Sequence, residues 1–206
     1  MYDTMKEQLK YIEYIKKFAV CNKCHIWLGG SFLQGNATDF SDVDTNIYCE
    51  KSILPEFING YGKPVFISFT SNPPGILIII YEDGVAVDLD IIEKIDVTDD
   101  EYFHLEDIKK HEFTRNETVC KDLALRNDEA YQMSRLFHRS LIKYLAGKKE
   151  AGISVANEIV AFLDSDDSLK EENYKDKFVL LLENYKNKYK MDSEYCNLLC
   201  DLVKQL

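Results

Sequence analysis

The chain has 206 residues and carries 25 Lys+Arg against 36 Asp+Glu, which gives a formal net charge of −11. Hydrophobic residues make up 46% and charged residues 30%, a composition typical of globular proteins and not of disordered or collagen-like chains. A chain of this length buries enough surface to fold without disulfide bonds. The acidic balance argues against a nucleic-acid binder that works through a basic face.

Targeting and membrane signals are not found in the sequence. No apolar run approaches the roughly 18 residues that a membrane span requires, so we expect no membrane contact. The N-terminus mixes charged and apolar residues and has no apolar core of a secretory signal. Six cysteines are spread widely along the chain, which fits a reducing compartment. The sequence therefore predicts a cytoplasmic protein.

Hydrophobic periodicity predicts helices and strands in the first 125 residues. An amphipathic helix is expected over residues 3–22. The Glu82-Asp83-Gly84 segment is typical of a hairpin turn. A last short strand is expected at Val119-Cys120. The other predicted strands cover residues 25–28, 43–48, 65–69, 76–81 and 85–92.

The pattern changes to helical spacing from Asp128 onward. Apolar residues recur there in four stripes, and no proline follows Pro74. We therefore expect an α/β (α+β) domain with a mixed sheet over residues 1–125. An all-α helical bundle is expected over residues 126–206.

The most informative segment is the Gly29-Gly30-Ser31 turn after the first strand, which ten residues separate from Asp42-Val43-Asp44. Glycines at such a turn let backbone N–H groups approach a ligand without an intervening Cβ atom. If a helix begins there, its N-terminus favours phosphate. The Ser31 hydroxyl can donate one further hydrogen bond.

Paired carboxylates follow on two predicted strands. Asp42 and Asp44 are two residues apart, so both should point to one face of the strand, and Asp88 and Asp90 share a face of a later strand in the same way. Like charges held this close are unfavourable unless a cation lies between them. Oxygen ligands of this kind suit Mg²⁺, which commonly bridges carboxylates to substrate phosphates.

This combination resembles the nucleotidyltransferase superfamily of DNA polymerase beta. The segment GSFLQGNATDFSDVDTNIY is most similar to small antibiotic nucleotidyltransferases, which include lincosamide nucleotidyltransferases and streptomycin adenylyltransferases. The string YEDGVAVDLDII is similar to the strand that carries the third carboxylate in that family. The resemblance in motifs covers residues 27–48 and 81–92, and beyond them it rests on architecture.

The resemblance implies a role for each motif residue. It implies that Gly30 and Ser31 contact the nucleotide triphosphate. It implies that Mg²⁺ is held by Asp42, Asp44 and Asp88. Either Asp88 or Asp90 would be the general base.

The reaction implied is Mg²⁺-dependent transfer of a nucleoside monophosphate, AMP from ATP, to a hydroxyl of a small molecule, with release of pyrophosphate. An acidic protein suits a cationic acceptor such as an aminoglycoside or a lincosamide, which would make this an antibiotic-resistance enzyme. A homodimer is a further expectation.

Two alternative functions remain open, and one segment differs from the motif of the superfamily. The chain could modify a protein, as antitoxin-like members of the superfamily do, or it could be a catalytically inactive domain that binds nucleotide. Many members carry a basic residue shortly after Gly-Ser, whereas this chain has Phe32-Leu33-Gln34. By charge alone, the candidates for a triphosphate-binding cation are Lys121, Arg126, Arg135 and Arg139.

Overall fold

The structure is a computed structural model that describes residues 4–71, 74–97, 100–165 and 167–206. The chain divides into two compact units, Met1–Arg126 and Asn127–Leu206. The first unit combines a sheet with helices, and the described part of the second is helical. The chain is therefore a mixed α/β protein in which the helical segment follows the sheet.

Helices flank the strands in the first unit and form the second. None of the described helices combines the length and the apolar character needed to cross a membrane. Single 3₁₀ turns occupy Lys51–Ile53, Ile108–Lys110 and Glu171–Asn173. The α-helices are α1 (Thr4–Asn22), α2 (Gly30–Gln34), α3 (Leu54–Tyr61), α4 (Glu117–Leu123), α5 (Glu129–Leu145), α6 (Lys149–Phe162), α7 (Tyr174–Lys188) and α8 (Ser193–Val203).

The strands that the structure describes form one mixed sheet with the order β3-β4-β5-β2-β1-β6, and β7 pairs with β5. The central pair, β2 and β5, is parallel, as is β1 with β6, and the other pairs are antiparallel. The strands are β1 (His25–Leu28), β2 (Val43–Tyr48), β3 (Pro64–Ser71), β4 (Pro74–Tyr81), β5 (Ala86–Ile95), β6 (Phe103–His104) and β7 (Phe113–Arg115).

One face of this sheet carries the hydrophobic core of the first unit. Ile47 on β2 and Leu89 on β5 are fully buried there, and Tyr11 and Ile15 of α1 belong to the same cluster. Residues alternate between the faces of a strand, so the carboxylates of β5 lie on the side opposite this core. The amphipathic pattern of β5 thus directs its acidic residues to one face.

The second unit has a separate aromatic core. Phe137 of α5 packs edge-on against Phe178 and Tyr185 of α7, with ring centroids 5.6 and 5.1 Å apart. His138, the residue that follows Phe137 in α5, is also buried, with 4% of its surface exposed. The predicted helical stripes therefore face a common interior.

Most of the predicted elements are confirmed, and two details were wrong. Val119 and Cys120 lie in α4 and not in a strand, because Asn116 caps this helix by accepting a hydrogen bond from the Val119 N–H at 3.2 Å. Asp42 lies one residue before β2, whereas Asp44 is within it. The hairpin at Glu82–Gly84 is present, with Gly84 at a φ of 89°.

Candidate active site

The Gly29-Gly30 turn is attached directly to the strand that carries Asp44. β1 ends at Leu28, and the Gly29 N–H then donates a hydrogen bond to the backbone oxygen of Asp44 at 2.8 Å. Gly30 has a φ of 54°, in the left-handed region that glycine tolerates best. The turn is therefore fixed against the start of β2 by its own backbone.

Gly30 leaves space for a carboxylate. A Cβ atom at this position would lie 1.7 Å from Asp44 Oδ2 and 2.5 Å from Asp44 Cγ, so no other residue fits without displacing Asp44. The helix that follows has only five residues, so few peptide dipoles add up and its N-terminus supplies little of the expected attraction for phosphate. The backbone groups of the turn and the partly buried Ser31 remain as candidate phosphate ligands.

Asp44 and Asp88 are neighbours on adjacent parallel strands. The register of β2 and β5 pairs Asp44 with Asp88 and Asn46 with Asp90. Paired residues of neighbouring strands point to the same face, and strands in a sheet lie about 4.8 Å apart. The fold therefore places carboxylates that are 44 residues apart in the sequence side by side, next to the glycine turn.

Asp42 is positioned by a folded loop. The Ser41 N–H donates to the Thr38 oxygen at 3.0 Å, and the Gln8 side chain of α1 donates to the Ser41 oxygen. Asp42 follows this turn and is partly buried. Within the described residues, no three His, Cys, Asp or Glu side chains form a group that could hold a metal ion. The set of Asp42, Asp44 and Asp88 as metal ligands therefore stays a prediction.

The environment of Asp44 disfavours its negative charge. Burial raises the pKa of the Asp44 carboxyl above its ordinary value, and the negative charge of Asp90 acts in the same direction. A backbone hydrogen bond and the positive charge of Lys109 oppose this shift. A bound cation would offset both unfavourable contributions.

Asp90 has a strong partner of its own. Arg115 of β7 donates from Nε to Asp90 Oδ1 at 2.6 Å and from an Nη atom to Oδ2 at 3.0 Å. The Asp90 side chain is 13% exposed and the Arg115 side chain 33%. This ion pair raises the pKa of Arg115, and both Asp90 oxygens accept its hydrogen bonds.

Two basic residues near the carboxylates were missed by sequence reasoning. Lys109 lies in the Ile108–Lys110 turn, whose start is capped by the Asp107 side chain, and Arg115 lies in the three-residue strand β7. Neither stands in a recognisable motif: the pairing of β7 with β5 reveals Arg115, and Lys109 is revealed by the effect of its charge on Asp44.

The four cations chosen from sequence by charge are divided between the two units. Lys121 lies on α4 with its ammonium 5.9 Å from the centre of the Phe69 ring, and Arg126 is the last residue of the first unit. Arg135 and Arg139 belong to α5 in the second unit. Within the first unit, Arg115 pairs with Asp90 and the positive charge of Lys109 acts on Asp44.

An aromatic cluster lies farther along the carboxylate face. Trp27 of β1 pairs in register with Asn46, and its indole stacks on the His104 ring with centroids 4.4 Å apart. His104 Nε2 lies 3.1 Å from His25 Nδ1. The sequence does not indicate this contact, because it separates the two histidines by 79 residues.

No protein-family model matches the chain, and no curated protein is significantly similar to it. The resemblance to nucleotidyltransferases therefore rests on the motif residues. The geometry of those residues is the basis on which a function can be proposed.

Proposed function

We propose that this protein is a Mg²⁺-dependent nucleotidyltransferase with a fold like that of DNA polymerase beta. It would transfer AMP from ATP to a hydroxyl of a small molecule and release pyrophosphate. The observation that carries the proposal is the pairing of Asp44 with Asp88 beside the Gly29-Gly30 turn. The other motif positions are consistent with this role.

The carboxylate pair fits a magnesium–triphosphate complex. Mg²⁺ commonly takes one or two carboxylates together with substrate phosphates and water, and does not need a complete cage of side chains. Asp44 and Asp88 would supply these carboxylates, with Asp42 as a third ligand. When bound, the metal would neutralise charge on the phosphates and on the leaving pyrophosphate.

The turn would bind the nucleotide through its phosphates. Gly29 and Gly30 have no Cβ atoms, so a phosphate can approach their backbone closely. The Ser31 hydroxyl can donate a hydrogen bond to a phosphate oxygen. Lys109 and Arg115 add positive charge beside the carboxylates, in place of the basic residue that follows Gly-Ser in many members of the superfamily.

The proton of the acceptor hydroxyl needs a base. The hydroxyl oxygen forms a bond to the α-phosphorus, the bond from that phosphorus to the oxygen bridging to the β-phosphate breaks, and pyrophosphate leaves. Either Asp88 or Asp90 would accept the hydroxyl proton, and Arg115 donates hydrogen bonds to both oxygens of Asp90.

The acceptor class follows from charge. A protein with a net charge of −11 attracts cations, so we propose an aminoglycoside or a lincosamide as the acceptor and antibiotic resistance as the role. We propose the cytoplasm as the place of the reaction, because ATP and Mg²⁺ are both available there. All six cysteines are free thiols, which is compatible with a reducing compartment.

The test is pyrophosphate release from ATP and Mg²⁺ over a panel of aminoglycosides and lincosamides. Release that depends on a drug and is lost in Asp44→Asn, but not in the control Asp39→Asn in the exposed loop before β2, would support the proposal. Binding of Mg²⁺–ATP without release on any drug or protein acceptor would indicate an inactive nucleotide-binding domain. Release with added proteins alone would indicate a protein-modifying enzyme.

A further inference from the structure

A buried amide lies on the same face as the carboxylates. Asn46 follows Asp44 by two residues on β2, and its register partners are Trp27 on β1 and Asp90 on β5. Only 8% of its surface is exposed. No motif of the sequence includes this residue, and the roles assigned above do not use it.

The Asn46 amide has no structural partner. Within the described part of the chain its side chain makes no hydrogen bond. The neighbouring Trp27 does not use it, because Trp27 Nε1 also lacks a partner among these residues, and both Asp90 oxygens accept from Arg115. The Asn46 side chain is thus largely enclosed by its neighbours, while its amide atoms are not among the fully buried ones and can be reached by a ligand.

The donor end of the amide faces the glycine turn. Asn46 Nδ2 lies 3.6 Å from the position that a Cβ atom on Gly29 would occupy, and Asp44 Cβ lies 3.2 Å from the same point. The amide nitrogen therefore lies on the side of the segment that is expected to hold the phosphates. A neutral N–H donor at this place can bond to a phosphate oxygen and adds no further negative charge.

We propose that Asn46 binds the nucleotide by donating its amide N–H to an oxygen of the triphosphate. This inference rests on the proposed function, since it assigns a further contact of the same site. It explains why a polar residue occupies a buried position between an indole and an ion-paired carboxylate. Asn46 would act in binding and would hold the phosphate chain against the turn.

Calorimetric titration with two probes, Mg²⁺–ATP and Mg²⁺–tripolyphosphate, tests the inference. We expect Asn46→Ala to weaken the binding of both probes by about 10-fold, the effect of one hydrogen bond to a charged group. Asn46→Asp should weaken binding further, because a carboxylate repels phosphate. The control is Thr45→Val, which changes the adjacent buried residue on the opposite face and should leave both affinities unchanged.

Melting temperatures without ligand complete the test. The inference predicts that Asn46→Ala melts close to the wild-type temperature, because the substitution removes no hydrogen bond among the described residues. Unchanged affinity for both probes would overturn the inference and leave the proposed function intact, as would weaker binding of Mg²⁺–ATP alone. A wild-type protein that binds neither probe would overturn the proposed function and the inference together.

Discussion

Gly30 packs directly against the carboxylate of Asp44, since a Cβ atom on Gly30 would lie 1.7 Å from Asp44 Oδ2. The turn that is expected to hold the phosphates and the residue that is expected to hold the metal are therefore one structural unit. Gly29 completes it with a hydrogen bond to the Asp44 backbone at 2.8 Å. A change in either glycine should affect the carboxylate as well as the turn.

Gly30→Ala should abolish transfer and destabilise the protein. The substitution adds a clash with Asp44 to the strain of a left-handed backbone, which by itself is about 1–2 kcal/mol. Gly35→Ala is the matched control, because Gly35 has a φ of 70° and open space around its Cβ position. Urea unfolding and pyrophosphate release measure both effects. Equal losses in the two variants would show that the Asp44 contact is unimportant.

Asp44→Asn should lower the transfer rate by at least about 100-fold, the scale of losing a contact that stabilises transition-state charge. The variant should nevertheless fold and melt at a higher temperature than the wild type in the absence of metal. Burial and the charge of Asp90 both disfavour the Asp44 carboxylate, and asparagine removes this unfavourable charge. A variant that keeps wild-type activity would contradict the role of Asp44 as a metal ligand.

Arg115→Gln should destabilise the protein by about 2 kcal/mol, because it leaves Asp90 partly buried without its ion-pair partner. The double variant with Asp90→Asn should recover about 1 kcal/mol of this loss, since the unpaired charge is then gone. A double-mutant cycle by urea unfolding provides the measurement. Strict additivity of the two single changes would mean that the ion pair contributes nothing.

His138 should make stability depend on pH. Burial lowers the pKa of His138 to about 4 from an ordinary value of 6.5, so the unfolded state binds more protons between these values. Stability should therefore decrease as the pH falls from 6.5 towards 4, by about 3 kcal/mol at most. The His138→Gln variant should lack this pH-dependent part of the unfolding free energy. Unfolding free energies of both proteins between pH 5 and 7 test this, and identical slopes would contradict it.

Local patterns were sufficient to predict most of the elements. Strand β2 and helix α5 follow from apolar spacing, and the hairpin at Glu82–Gly84 follows from its turn residues. The strand predicted at Val119-Cys120 was wrong because a short apolar pair fits a helix equally well, and the Asn116 cap decides between them. Periodicity alone does not contain that information.

The candidate site was only partly predictable. Motif spacing identified the carboxylates, but it could not show that Asp44 and Asp88 are register partners, which depends on the parallel pairing of β2 and β5. Arg115 and Asn46 were missed because their importance comes from neighbours on other strands. Residues that contribute through such long-range pairing have no local sequence signature.

The most direct test of the proposed function follows the α-phosphate. The protein is incubated with Mg²⁺ and ATP labelled at the α-phosphorus, in the presence of each aminoglycoside and lincosamide, and the drug and the released phosphates are separated. We expect the label on the drug, with one pyrophosphate released for each labelled drug molecule, and no transfer by Asp44→Asn. Transfer of the γ-phosphate, or α-label transfer that Asp44→Asn leaves unchanged, would contradict the proposed function.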